Sequence, residues 1–149
     1  MKMKLLLTAL SVLMFPYKFG EVGSPGNGLL SHFAYPFCHA NVWHLLCNLF
    51  VLWSIRNRMD AVAAYVIAVA ASWLPVWVEK PTVGMSGMLF AMFGIMWGKT
   101  RMTWKCAKAG LPVILVMMLI PNVNGLLHLY CYIIGYIISY LFTRCNIWS

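Results

Sequence analysis

Charge is scarce in this 149-residue chain: 9% of its residues are charged, and the acids number three, Glu21, Asp60 and Glu79. An ordinary soluble domain carries about a quarter charged residues. A small globule in water keeps most of its residues wet, and a chain that is 62% apolar lacks the polar side chains to cover that surface. The shortage excludes a soluble fold and leaves lipid as the solvent. Paired cysteines are missing as well. Cys38, Cys47, Cys106, Cys131 and Cys145 form no CxxC or other close pair, so neither a disulfide framework nor a zinc motif is implied. There is no internal repeat and no low-complexity tract beyond the apolar bias.

What the chain does have is apolar runs, at residues 5–17, 40–55, 61–78, 83–97, 110–120 and 124–142, separated by charge or by proline and glycine. A helix crossing the ~30 Å hydrocarbon layer needs about 20 residues, which leaves room for six crossings and no soluble domain. The expectation is an all-α membrane protein, a compact bundle of six transmembrane helices forming one domain over residues 1–149. Several runs are shorter than a full span, as in helices that stop below the membrane surface or in a locally thinned bilayer. The first run follows Lys2 and Lys4 and has no clear A-x-A cleavage site, so it is read as a retained helix and not a signal peptide.

The formal charge of +8 is distributed unevenly. With six crossings, Lys2, Lys4, Arg56, Arg58, Lys99, Arg101, Lys105, Lys108 and Arg144 fall on one side, while Lys18 and Lys80 fall on the other with Glu21 and Glu79 beside them. The positive-inside rule then makes both termini cytoplasmic. The cluster from Lys99 to Lys108 reads as a topology determinant in contact with anionic lipid, and nothing supports nucleic-acid binding. The connection 18–37, with Gly20, Gly23, Pro25, Gly26, Asn27 and Gly28 near its start, reads as an outer-side loop.

Polar side chains inside apolar runs are costly and mark candidate sites. The second run carries His39, His44 and Asn48, the fourth opens with Gly84, Met85, Ser86 and Gly87, and the sixth opens with Asn124 and carries His128. All three runs point inward from the outside, so His44, Ser86 and His128 share a layer roughly 5 to 10 Å below the outer surface, at 1.5 Å per residue. Cys131, Gly135 and Ser139 continue the face of His128 as a small-residue stripe, and Gly87, Ala91, Gly94 and Gly98 make another in the fourth run. Such stripes let backbones approach, which brings Ser86 towards His128 as a nucleophile beside its base. Ser86 lies at a helix start, where backbone N–H groups lack partners and the dipole is positive, a natural place for an oxyanion. His44 and Asn48, one turn apart, share a face and can add donors to the same hole. His39 lies five residues from His44, roughly 140° around a helix, and is expected to point elsewhere, in a structural or loop-anchoring role. No acid is available as a third member, so the chemistry is that of a dyad, with Phe90 the candidate ring against the histidine. Zinc is disfavoured because the histidines lack i, i+4 spacing and no acidic ligand lies near.

Together these residues resemble the rhomboid family of intramembrane serine proteases. HANVWHLLCN, from His39 to Asn48, resembles the family's H-x4-H-x3-N; GMSG, from Gly84 to Gly87, its G-x-S-G; and His128 with Gly135 its sixth-helix histidine and glycine. The resemblance implies that Ser86 is the nucleophile, His128 the general base and acid, and His44, Asn48 and the Ser86 N–H the oxyanion donors, with Gly84, Gly87 and Phe90 in support. It implies hydrolysis of peptide bonds in or near transmembrane segments of membrane proteins, without metal or cofactor. It also implies a multi-pass protein of a bacterial inner membrane whose site opens to the outer face. Leu127 and Cys131 stand where the family usually has alanine and glycine, and this departure predicts a looser or shifted contact between the fourth and sixth helices. The outer loop also lacks the Trp-Arg pair common in relatives.

Two other readings stand beside this one. A catalytically inactive relative would bind transmembrane segments, although such relatives usually lack the serine or the histidine. A small transporter would line a polar path with His44, Asn48 and His128, yet the inner stretches 49–53 and 133–138 offer almost no polar groups to continue it.

Overall fold

A computed structural model describes residues 1–17, 28–55, 60–74, 82–100 and 123–145, together with isolated helical positions at Pro112, Leu115, Val116 and Leu119. Among the described residues six helices have defined bounds: α1 (Lys2–Met14), α2 (Leu29–Ala34), α3 (Val42–Ser54), α4 (Ala61–Ser72), α5 (Ser86–Thr100) and α6 (Gly125–Arg144). No strand occurs among the described residues. The expected runs at 5–17, 40–55, 61–78, 83–97 and 124–142 correspond to α1, α3, α4, α5 and α6. The run at 110–120 lies largely outside the described residues, as do the loop charges Lys18, Glu21, Arg56, Arg58, Glu79, Lys80, Arg101, Lys105 and Lys108.

The connection read as a loop contains α2, and the reason it escapes the sequence is its inverted polarity. Leu29, Leu30 and Phe33 are exposed, whereas Ser31 is buried. His32 Nδ1 lies 2.9 Å from Ser72 Oγ at the end of α4. An isolated turn and a half with its polar face inward has no periodic signal, and its contacts with α4 hold it in place. Tyr35 keeps helical dihedrals after the last residue of α2, and Pro36 behind it has no N–H with which to continue the helical ladder.

Helix directions follow from the end-to-end contacts. Lys4 at the start of α1 donates to the carbonyls of Trp53 and Ile55 at the end of α3, and Trp53 Nε1–H donates to Thr8 Oγ1 at 3.2 Å. Asp60, just before α4, pairs with Lys99 near the end of α5 at 2.7 Å. The starts of α3, α5 and α6 therefore share one end of the bundle, and Lys4, Asp60 and Lys99 gather at the other.

The core is centred on α5, which packs most extensively against α6 and next against α4. A Cβ added to Gly135 would lie 2.5 Å from the Ala91 carbonyl oxygen, and one added to Gly94 would overlap the Tyr132 carbonyl. These backbones touch, so the seam as a whole is not loosened by Cys131 and Leu127, and its closest approaches lie beyond them at Gly94, Gly98 and Gly135. The two side chains are accommodated because Gly87 opposite leaves space: a Cβ there would be 3.5 Å from Cys131 Sγ and 3.6 Å from Leu127 Cδ2. Among the described residues α6, with 20 residues, is the one helix long and apolar enough to cross a membrane, while α3 and α4 are shorter apolar helices.

Candidate active site

The turn entering α5 is built on Gly84, whose φ of +111° lies where side-chain-bearing residues are strained. Its N–H donates to the Tyr35 carbonyl at 2.8 Å. A Cβ on Gly84 would sit 2.5 Å from His44 Cε1 and 2.7 Å from Nε2, so glycine is required for conformation and for space alike. Tyr35 is fully buried, and its hydroxyl donates to the Ala68 carbonyl of α4 at 2.8 Å. Tyr35 thus ties the α2–α3 connection to both α4 and the glycine turn, a role that no local spacing announces.

Ser86 is the first residue of α5, one position ahead of the Gly87 contact and one turn before Phe90. The first helical bond of this segment runs from Leu89 N–H to the Met85 carbonyl, so the Ser86 N–H precedes the intrahelical ladder. From α6, His128 places Nε2 2.7 Å from Ser86 Oγ. The Phe90 ring stacks on the imidazole with centroids 4.9 Å apart and an interplanar angle of 27°. The imidazole is 4% exposed, and its Nδ1 is buried with no hydrogen-bond partner among the described residues. Asp60 is paired with Lys99 at the other end of the bundle, whereas Glu21 and Glu79 lie outside the described residues. The pair therefore stands without a described carboxylate behind it, and packing against Phe90 orients the ring.

Asn41 caps α3 by accepting the His44 N–H at 2.9 Å, which starts the helix at Val42, two residues before His44. His44 and Asn48 then face the glycine turn together, as one-turn spacing predicts: a Cβ on Gly84 would lie 3.3 Å from Asn48 Nδ2. That amide nitrogen is buried without a hydrogen-bond partner among the described residues. A buried donor without an acceptor is costly, and a ligand oxygen supplied from outside the chain would satisfy it.

His39 departs from expectation. It precedes the Asn41 cap, so the angular spacing of a continuous helix does not apply, and its ring meets His44 edge-on with centroids 5.2 Å apart. Its Nδ1 lies 3.1 Å from the Phe37 carbonyl, and its Nε2 is buried without a partner among the described residues. Among those residues no three His, Cys, Asp or Glu side chains cluster as metal ligands.

A hydroxyl within hydrogen-bond distance of a packed imidazole, at a helix start faced by amide and imidazole donors, has the geometry of a nucleophile–base site set in a helical bundle. The chain matches the Rhomboid domain over residues 27–145, from just before α2 to just beyond α6, and it belongs to the rhomboid family. It is accordingly an integral membrane protein of a family of intramembrane serine proteases that also contains inactive forms. No curated protein sequence matches it significantly.

Proposed function

We propose that this protein is an intramembrane serine endopeptidase that cleaves peptide bonds in or near transmembrane segments of membrane proteins, acting as one membrane domain with both termini cytoplasmic and its site open to the outer face. The observation that carries the reading is the 2.7 Å separation between Ser86 Oγ and His128 Nε2. With the imidazole proton on Nδ1, Nε2 accepts the Ser86 proton as the oxygen attacks the peptide carbonyl. The negative charge that develops on the carbonyl oxygen is met by the Ser86 N–H and by His44 and Asn48, whose amide nitrogen has no competing partner among the described residues. His128 then returns the proton to the leaving amine, and water hydrolyses the acyl-enzyme by the same route. Extended backbone has to reach Ser86, which favours substrates with small or helix-destabilising residues at the cut.

The test is labelling of the purified full-length chain by a fluorophosphonate, which reports an activated serine without knowledge of the substrate. Labelling that disappears in Ser86→Ala, in a protein that still inserts and folds, is the expected result. An unlabelled wild-type chain would favour an inactive family member that binds transmembrane segments.

A further inference from the structure

Asn124 is one of the few amide side chains in the apolar runs, and neither proton transfer nor oxyanion binding uses it. Both ends of its amide are engaged. Oδ1 accepts the Leu127 N–H at 3.1 Å and caps α6, while Nδ2 donates to Thr82 Oγ1 at 3.0 Å. The Asn124 backbone carbonyl also accepts the His128 N–H at 3.3 Å. Thr82 lies four residues before Ser86, and Asn124 lies four residues before His128, so one side-chain bond joins the approaches to both members of the pair.

The rest of the α5–α6 seam leaves this bond a specific task. The tightest backbone contacts, at Gly94, Gly98 and Gly135, lie about two to three turns further along the helices than the pair itself. At the level of Ser86 a Cβ built on Gly87 would still stand 3.5 Å from Cys131 Sγ and 3.6 Å from Leu127 Cδ2, so the two helices lie further apart there than at the glycine seam. A slip of one residue rise is about 1.5 Å and lengthens the 2.7 Å contact between Ser86 Oγ and His128 Nε2 to roughly 3.1 Å if it runs across the contact and roughly 4.2 Å if it runs along it. We propose that the Asn124–Thr82 hydrogen bond pins the axial register of α5 against α6 at the site, which makes Asn124 a positioning residue for Ser86 and His128. The proposal rests on the reading of those two residues as nucleophile and base.

The experiment measures the second-order rate of fluorophosphonate labelling for the full chain in detergent, beside its thermal midpoint. Asn124→Ser keeps a capping oxygen but is too short to reach Thr82, Thr82→Val removes the acceptor at constant shape, and Thr82→Ser retains the hydroxyl. The expected result is a loss of about ten- to a hundred-fold for Asn124→Ser and for Thr82→Val, with Thr82→Ser within about twofold of the wild type. The Asn124→Ser/Thr82→Val double variant should be no slower than the slower single one, because both remove the same bond. With a cleavable substrate the loss should fall on kcat and leave KM unchanged. Thr82→Val leaves the α6 cap intact and decides the matter alone if Asn124→Ser does not fold. Wild-type labelling rates in Thr82→Val, multiplicative losses in the double variant, or losses that match the fall in folded protein would overturn the pin. These outcomes differ from a failure of the protease reading, in which the wild-type chain itself is not labelled in a Ser86-dependent way and the pin falls with it.

Discussion

The two helices that face α5 at the site are attached to it very differently. α6 lies against α5 backbone to backbone, through Gly94, Gly98 and Gly135. α3 meets α5 at few points, and its far end is held by Lys4 and Thr8 of α1. The hydroxyl and imidazole of the proposed nucleophile–base pair sit on the tight pair, whereas the proposed oxyanion donors, His44 and Asn48, sit on the looser helix. Atoms that exchange a proton need sub-ångström placement, while a helix bordering the space a substrate must occupy gains from freedom to adjust.

The comparison can be broken most severely at the seam. Gly94→Leu forces a side chain into the Tyr132 backbone and should cost about 3 kcal/mol or more, with labelling and cleavage lost together, as read by thermal unfolding and fluorophosphonate reactivity. His128→Ala acts on the same pair without the steric insult: the fold should persist while the rate falls by about 10²- to 10⁴-fold. Asn48→Ala, on the looser side, should lower cleavage by about 10²- to 10³-fold and leave measurable activity, with little change in unfolding because the amide nitrogen has no partner among the described residues to lose. Lys99→Met, which removes the ion pair with Asp60 at the end remote from the site, should cost less than about 1 kcal/mol and leave the labelling rate unchanged. A larger effect there would mean that the far end of α5 governs the site, against the division drawn above.

Much of the site was legible because it lies at helix starts. Ser86 behind Gly84, and His44 one turn from Asn48, follow from local spacing, and Phe90 lies on the His128 ring as the one-turn offset from Ser86 suggested. His39 lies where helical angles do not predict, because the Asn41 cap begins α3 after it and a helical-angle argument fails outside a helix. Tyr35 gave no signal at all: a lone tyrosine beside a proline is unremarkable until its hydroxyl is seen on Ala68 and its carbonyl on Gly84. The helix α2 was hidden for the opposite reason to the long runs, since its apolar edge faces outward and its polar edge is tied to α4.

Amino-acid order alone determined that the chain dissolves in lipid, where its apolar segments lie, and that a serine and three polar side chains stand at the entrances of their helices. These are properties of composition and of spacing along one helix, fixed by local geometry. Tertiary structure alone decided that Ser86 Oγ and His128 Nε2 meet at 2.7 Å, that Cys131 and Leu127 fit without opening the seam, and that Asn124 reaches Thr82. Those outcomes depend on how two helices, with Ser86 and His128 42 positions apart in the chain, settle against each other, and that is set by close packing among residues with no fixed relation along the chain.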